Sequence, residues 1–507
     1  MQKRIPLLIL ALFTMTAYGL SSVIFTDVTH EMAISIGFSL DEMTQVKVAF
    51  TIFQVLGLLF SPLIIRFWCS SRVLIVSLAA GLIASLSLYF LPTNALIFVY
   101  AWLVIGFVLS ILLALTNLLV LDTFEAKLVP VVIAGMLIFS TLLPLGAYAW
   151  IVAEILEVFD WSSLSAAFAW LFFSGFIIVS LYPTVPLRMQ HQPKSGLLVY
   201  LVIASTMSLF VFLLMRGDYY NWFDSVFFSK LTTGAAIISL LSVYLLVRQD
   251  KTFTSASTKL HKKFKTNVFM YNAFIAGFAV AASSILFSSF LVQALNYNSL
   301  NAGYSYLPSF YAMFAAMIVS VLIFCFRRPL SDAAVPIGVV MILLSIYAFS
   351  QLPSNVDPDS LMVPMLLRGF GIGLLNVSVT ISVFTYFNAG QRIEGVCNFY
   401  LFRTVGSLIG SAFFSRVIQT HSAQASAELS RSVDGTSGGY AFYQHALSNM
   451  ILTNGHLSSL SIEMSQISNL VSHQVTTLAL NNALIVFILS IFTLAPILII
   501  GKKIASK

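Results

Sequence analysis

The sequence predicts an all-α integral membrane protein with 14 transmembrane helices. Three observations carry this. Hydrophobic residues make up 59% of the 507 positions and charged residues only 9%, whereas soluble domains are about 25% charged. Mean hydropathy is +0.94. Apolar runs of about 20 residues, the length that crosses a hydrocarbon layer of roughly 30 Å, recur along the whole chain between polar or Pro/Gly breaks.

In chain order the predicted spans are 5–26, 43–65, 73–91, 96–121, 129–152, 163–182, 197–215, 226–247, 268–293, 303–325, 334–352, 361–386, 396–418 and 478–500. Lys3 and Arg4 precede the first apolar run. No small-residue cleavage site follows it, so it reads as a helix rather than a signal peptide. An even number of spans puts both termini on one side. With the termini cytoplasmic, 19 of the 26 Lys and Arg residues fall in inner tails and loops, while Arg216, Arg416 and Arg431 lie on the outer side. That asymmetry orients the chain as a multi-pass inner-membrane protein. It also accounts for the formal charge of +7, so no nucleic-acid partner is implied. The basic inner loop 248–267 reads as an anchor of the same kind. Cys69, Cys325 and Cys397 all fall at inner ends of spans and suggest neither a disulfide nor a metal site. The long Ser-rich outer loop 419–477 holds His421, His445, His456 and His473 at irregular spacing, which is not a metal-ligand pattern.

Charges inside spans are costly and mark functional candidates. Arg368 lies about two turns into span 12 and Arg403 about two turns into span 13. Each serves either an anionic substrate or the helix packing. Lys47 in span 2 and Lys230 in span 8 lie nearer an interface, within snorkelling reach. Gln54, Asn117 and Asn376 are uncharged candidates for the substrate path, as is Asn272. No Asp or Glu lies near the middle of a span, which leaves Asp27, Glu31 and Glu154 as the candidate coupling carboxylates. No His lies within a span, and no paired carboxylates, H-E-x-x-H or Gly-rich phosphate loop is present. The chain therefore reads as a non-enzyme with no cofactor.

Leu361-Met-Val-Pro-Met-Leu-Leu-Arg-Gly-Phe-Gly-Ile-Gly-Leu374 and Asn398-Phe-Tyr-Leu-Phe-Arg-Thr-Val-Gly-Ser-Leu-Ile-Gly-Ser411 resemble spans 12 and 13 of the 14-span drug:proton antiporter family of the major facilitator superfamily. Asn298 to Pro308, Asn221 to Ser225 and Ser39 to Asp41 resemble it in the same order and spacing. The resemblance implies two six-helix bundles, 1–190 and 251–507, with an extra helix pair in 191–250 and the outer loop 419–477 before the last span. It implies a substrate path between the bundles, opened alternately to each side. Arg66 and Arg72 match the basic positions of the family's inner-loop motif, whose acidic position is Ile65 here. The span 4 Arg/Gln motif is missing, the span 5 motif keeps only Pro144, and the span 1 aspartate maps near Gly19.

The expected function is secondary transport of a small organic solute, foremost efflux of a drug or amphipathic compound. The alternatives are a dedicated siderophore or metabolite carrier and a non-transporting membrane sensor. The expected partners are the solute, the lipid bilayer and a periplasmic adaptor protein, and the carrier is expected to act as a monomer.

Overall fold

A computed structural model describes residues 4–182, 197–252, 264–326, 328–352, 358–388, 391–432 and 460–506. Among these the regular structure is entirely helical. A backbone in lipid must bond its own polar groups, and a helix does so within one segment.

The first half comprises α1 (Arg4–Asp27), α2 (Thr29–Ile36), α3 (Leu40–Phe67), α4 (Ser70–Phe90), α5 (Ala95–Thr123) and a broken span, followed by α9 (Ser162–Leu181). Local chemistry sets the boundaries. Gly37 ends α2 in the left-handed region at φ 79°. Ser39 and Glu42 then form a reciprocal capping box on α3, with bonds of 3.2 and 2.8 Å. The Asn94 side chain caps α5. The broken span runs through α6 (Val129–Leu137), a π-turn at Ile138–Leu142, α7 (Leu143–Gly146) and α8 (Tyr148–Val158). It was expected as one uninterrupted helix.

The second half comprises α12 (Phe264–Ser289) with a π-turn at Phe290–Ala294, α13 (Ser299–Phe326), α14 (Arg328–Ser350), α15 (Pro358–Tyr386), α16 (Arg392–Ser432) and α17 (Leu460–Ser506). Between the halves stand α10 (Leu197–Arg216) and α11 (Val226–Thr252). Among the described residues twelve helices are long and apolar enough to cross a membrane. The other two predicted spans are helices with shorter apolar stretches, Tyr200–Arg216 and Ala334–Ser350. The expected loop 419–477 is helical at both its ends, because α16 continues to Ser432 and α17 begins at Leu460. At 1.5 Å per residue these helices run roughly 60 and 70 Å, about twice the hydrocarbon thickness. His421 and His473 therefore sit on helices, while His445 and His456 lie outside the described residues.

Packing sorts the helices into two groups. One core draws on residues 7–179, joined only by Ile393 and Cys397 at the start of α16. The other is built on α12–α17 and takes in the faces of α1, α3, α5 and α6 that meet them. Within the second group α12 and α16 approach almost backbone to backbone. Gly277 lies against the carbonyl of Arg403, and Gly406 against the carbonyl of Phe274. No side chain fits at either contact, which is why small residues stand there.

The pair α10–α11 is attached mainly through α10, which packs on α3 and α16. α11 packs on α10 and leaves Ile237, Leu240, Leu241 and Tyr244 exposed. Arg216, expected in an outer loop, ends α10 only 2% exposed. It donates to Asp41 at 2.5 Å and lies 3.9 Å from the Tyr219 ring centroid. The apolar run stops at this residue because its charge is satisfied by the first turn of α3.

Gly406→Val is expected to destabilise the α12–α16 contact by about 1–3 kcal/mol, read as a lower unfolding temperature in detergent; an unchanged temperature contradicts the packing. Asp41→Asn removes the carboxylate partner of the Arg216 guanidinium and is expected to loosen this end of α10. Limited proteolysis between Gly217 and Ser225 should accelerate, and an unaltered cleavage rate counts against the Arg216–Asp41 tie.

Candidate functional site

The polar groups between the halves gather at four levels along the bundle. The end holding Arg4, Glu125, Asp122 and Arg392 is called the basic end here, and the end holding Asp27, Asp41 and Glu154 the far end.

At the basic end Arg392 of α16 pairs with Asp122 at the end of α5 and donates to the Leu121 carbonyl at 3.0 Å. Arg4 pairs with Glu125 at 3.1 Å. The first of these contacts joins the two halves. Neither was anticipated, since both partners read as ordinary loop charges. Arg72 is exposed here, and the Arg66 side chain lies outside the description.

The next level centres on Arg403, 11 residues into α16 and half-buried. Its electrostatic neighbours are two phenols, Tyr400 from the same helix and Tyr18 from α1 in the other half. Asn117 of α5 donates to the Tyr400 hydroxyl at 3.3 Å and to the Leu113 carbonyl at 2.7 Å. The structure thus brings together two predicted residues, Arg403 and Asn117, with two that sequence reasoning missed. No carboxylate lies within ion-pair distance of Arg403 among the described residues. Gly277, against which the Arg403 backbone packs, fixes the depth of the side chain.

The third level centres on Arg368 of α15, which has no exposed surface. Its guanidinium donates to Ser284 of α12 at 2.8 Å and reaches Ser309 of α13 at 3.4 Å. It also lies 4.8 Å from the Phe287 ring centroid and 5.7 Å from that of Tyr306. Two hydroxyls and two π faces replace its water without supplying a negative charge. The Nε has no hydrogen-bond partner. Ser284 is seven residues beyond Gly277 on α12, so the two arginines engage that helix about 10 Å apart. All the direct partners of Arg368 belong to the second half.

Asp27 and Lys47 interact electrostatically within the first half, and Asp27 also senses Tyr306 across the interface. Lys47 is half-buried two turns into α3. Gln54 is half-buried further along the same helix and makes no hydrogen bond in this structure. Asn376 is buried on α15 with neither amide atom partnered, and the Asn272 oxygen is likewise unpartnered. Glu31 is exposed in the first turn of α2.

At the far end Glu154 accepts from Trp150 at 3.1 Å within α8 and from Tyr304 of α13 at 2.9 Å. The Trp150 and Tyr304 rings lie 5.8 Å apart. This candidate coupling carboxylate is therefore engaged in holding the two halves together.

Gly19, near which the span 1 aspartate of similar carriers maps, lies against the carbonyl of Phe139 in the π-turn, and a Cβ there would sit 2.9 Å from the Pro144 ring. The backbone of the broken span occupies the space an acidic side chain would need.

No protein-family profile and no curated protein matches the sequence. Among solved structures the chain is similar to the human organic anion transporter MFSD10 (TETRAN), with a TM-score of 0.54 and 13% identity, over 81% of this chain and 92% of that one. It is also similar to a bacterial homologue of the human lysosomal transporter Spinster, crystallised inward-facing and unoccupied. That match has a TM-score of 0.55 and 10% identity, over 99% and 97% of the two chains. The chain therefore shares the helical fold of these two transporters.

Proposed function

We propose that this chain is a secondary active transporter that carries a small organic anion through the space between its two halves by alternating access. The observation that carries this reading is Arg403, a half-buried cation on an apolar helix with no carboxylate within ion-pair distance among the described residues, on the helix whose Tyr400 is bonded by Asn117 of the other half. A charge drawn partly out of water is held at a cost, and a negative solute supplies the partner. Tyr18, Asn117 and Tyr400 add hydroxyl and amide groups beside that charge. Arg368, enclosed by its own half, raises the positive potential along the path without touching the solute. One neighbour of like fold is an organic anion transporter. That likeness extends to the fold, and the charge of the path is what supports an anion here.

In the fuller form of the proposal the chain spans the bilayer 14 times, with α10 and α14 completing the count and both termini cytoplasmic. The direction is outward, as the sequence resemblance suggests. Cationic drugs are disfavoured, because the Arg403 guanidinium repels them.

The test is uptake into proteoliposomes of radiolabelled p-aminohippurate and p-toluenesulfonate, compared with ethidium as an organic cation. Wild type is expected to carry an anion and to exclude ethidium. Arg403→Gln should lower anion uptake by at least about tenfold, equivalent to about 1.4 kcal/mol. Arg403→Lys keeps the charge but loses the planar fork and should recover only part of it. Ethidium transport that is indifferent to Arg403→Gln overturns the proposal.

A further inference from the structure

The two halves meet along two lines. On one, α7 and α8 lie against α13, where Gly146 and Gly303 bring the backbones together. On the other, α3 lies against α16, and α10 packs on both of them. The extra helix pair therefore lies over a seam between the halves, and it is held to the two sides in different ways.

Toward α3 the hold is specific and reaches from end to end. Near the basic end the Tyr200 and Phe60 rings lie 6.5 Å apart. At the far end Arg216, 2% exposed, donates to Asp41 at 2.5 Å. Asp41 is itself fixed, because it stands in the first turn of α3 within the Ser39–Glu42 capping box and accepts from Gln45 at 3.1 Å. Tyr200 and Arg216 stand 16 residues apart, about 24 Å of helix. Toward α16 the hold is of another kind. Met207, Val211 and Met215 recur at four-residue spacing on one stripe of α10. They join the core that contains Leu401 and Phe414 of α16 alongside Val55 and Leu58 of α3. A charge-assisted hydrogen bond is short and directional, whereas methionine side chains repack without a fixed geometry. When α3 and α16 move apart, the contact that yields is the one with α16.

The turn beyond Arg216 brings α11 along. Trp222 folds over Gly217 and donates to Asp218 at 2.7 Å. Tyr220 stacks on the buried Phe228 of α11 with ring centroids 5.5 Å apart, and α11 packs along α10. The pair is thus one body with its fixed points on the first half.

We propose that α10–α11 is a strap that travels with the first half, bolted to α3 through Arg216 and Asp41, and slides over α16 when the halves rock. The proposal rests on the alternating-access reading and does not depend on the charge of the solute.

The experiment uses the full chain in lipid nanodiscs, with pairs of nitroxides carried on p-acetylphenylalanine, which spares Cys69, Cys325 and Cys397. The labelled positions are Leu40 of α3, Phe223 of the strap and Gln419 of α16, all exposed and toward the far end. Double electron–electron resonance is recorded for each pair without solute, with saturating p-toluenesulfonate, and in Arg392→Ala, which removes the basic-end bridge to Asp122. The Leu40–Gln419 distance is expected to shift by several ångströms among these states. Phe223–Gln419 should shift with it, while Leu40–Phe223 stays constant. Asp41→Asn should broaden the Leu40–Phe223 distribution. A Leu40–Phe223 distance that changes among the three states overturns the strap and leaves alternating access standing. An Asp41→Asn distribution as narrow as that of the wild type removes Arg216 as the bolt and overturns the proposal likewise. A Leu40–Gln419 distance that is the same in all three states overturns alternating access, and the strap with it.

Discussion

A guanidinium cannot be buried in a membrane helix without something taking the place of its water. Insertion scales put the cost of a central charge at about 2.5–3.5 kcal/mol even after snorkelling and local hydration. Much of the second half can be understood as the arrangement that meets this constraint at Arg368. Ser284 and Ser309 bring hydroxyls from α12 and α13, and Phe287 and Tyr306 bring ring faces from the same two helices. For these groups to reach one point, three helices must approach closely. Gly369, next to the arginine, packs against the Ser309 carbonyl and lets α15 touch α13. The glycine-rich stretch after Arg368 and the arginine itself therefore serve one purpose.

Arg403 answers the same constraint differently. Its backbone is pinned by Gly277, and its electrostatic neighbours include Tyr18 of the other half. The distinction between the two arginines lies in who supplies the neighbours. Under alternating access, groups that come entirely from one half would move with it as a rigid body and keep solvating Arg368. The neighbours of Arg403 come from both halves, so its surroundings would change as the halves rock. A residue whose solvation changes with conformation is the one whose ligand can couple to that change. This separates a charge that sets the potential of the path from a charge that senses occupancy, although both read alike as intramembrane arginines.

Several features were legible in the sequence. The positions of the helices followed from apolar runs of membrane length. The intramembrane charges at Arg368, Arg403 and Lys47 stood out because each lies inside an apolar run, away from the other charged residues of its span. Their partners were hidden for a physical reason: the direction a side chain takes depends on the helix crossing, and a tyrosine such as Tyr18 or a serine such as Ser284 is common in membrane spans. Arg216 was misplaced because hydropathy ends a span at a charge, whereas the Asp41 carboxylate lets α10 keep that charge buried. The ends of α16 and α17 were taken for loop because Ser, Ala and Gln lower hydropathy while still forming a helix. The π-turn at Ile138–Leu142 has no residue signature that distinguishes it from ordinary helix.

That π-turn ties the divergence of the first half to the charge of the second. Its wider backbone turn presses the Phe139 carbonyl against Gly19, where carriers that this chain resembles place an aspartate. With backbone in its place, the first half contributes phenol and amide groups at Tyr18 and Asn117, together with an Asp27 already offset by Lys47. Removing one negative charge from a closed, low-dielectric space has the same electrostatic consequence as adding a positive one. On the proposed anion reading, the first half would bear on charge selectivity through what it omits as much as through the groups it supplies.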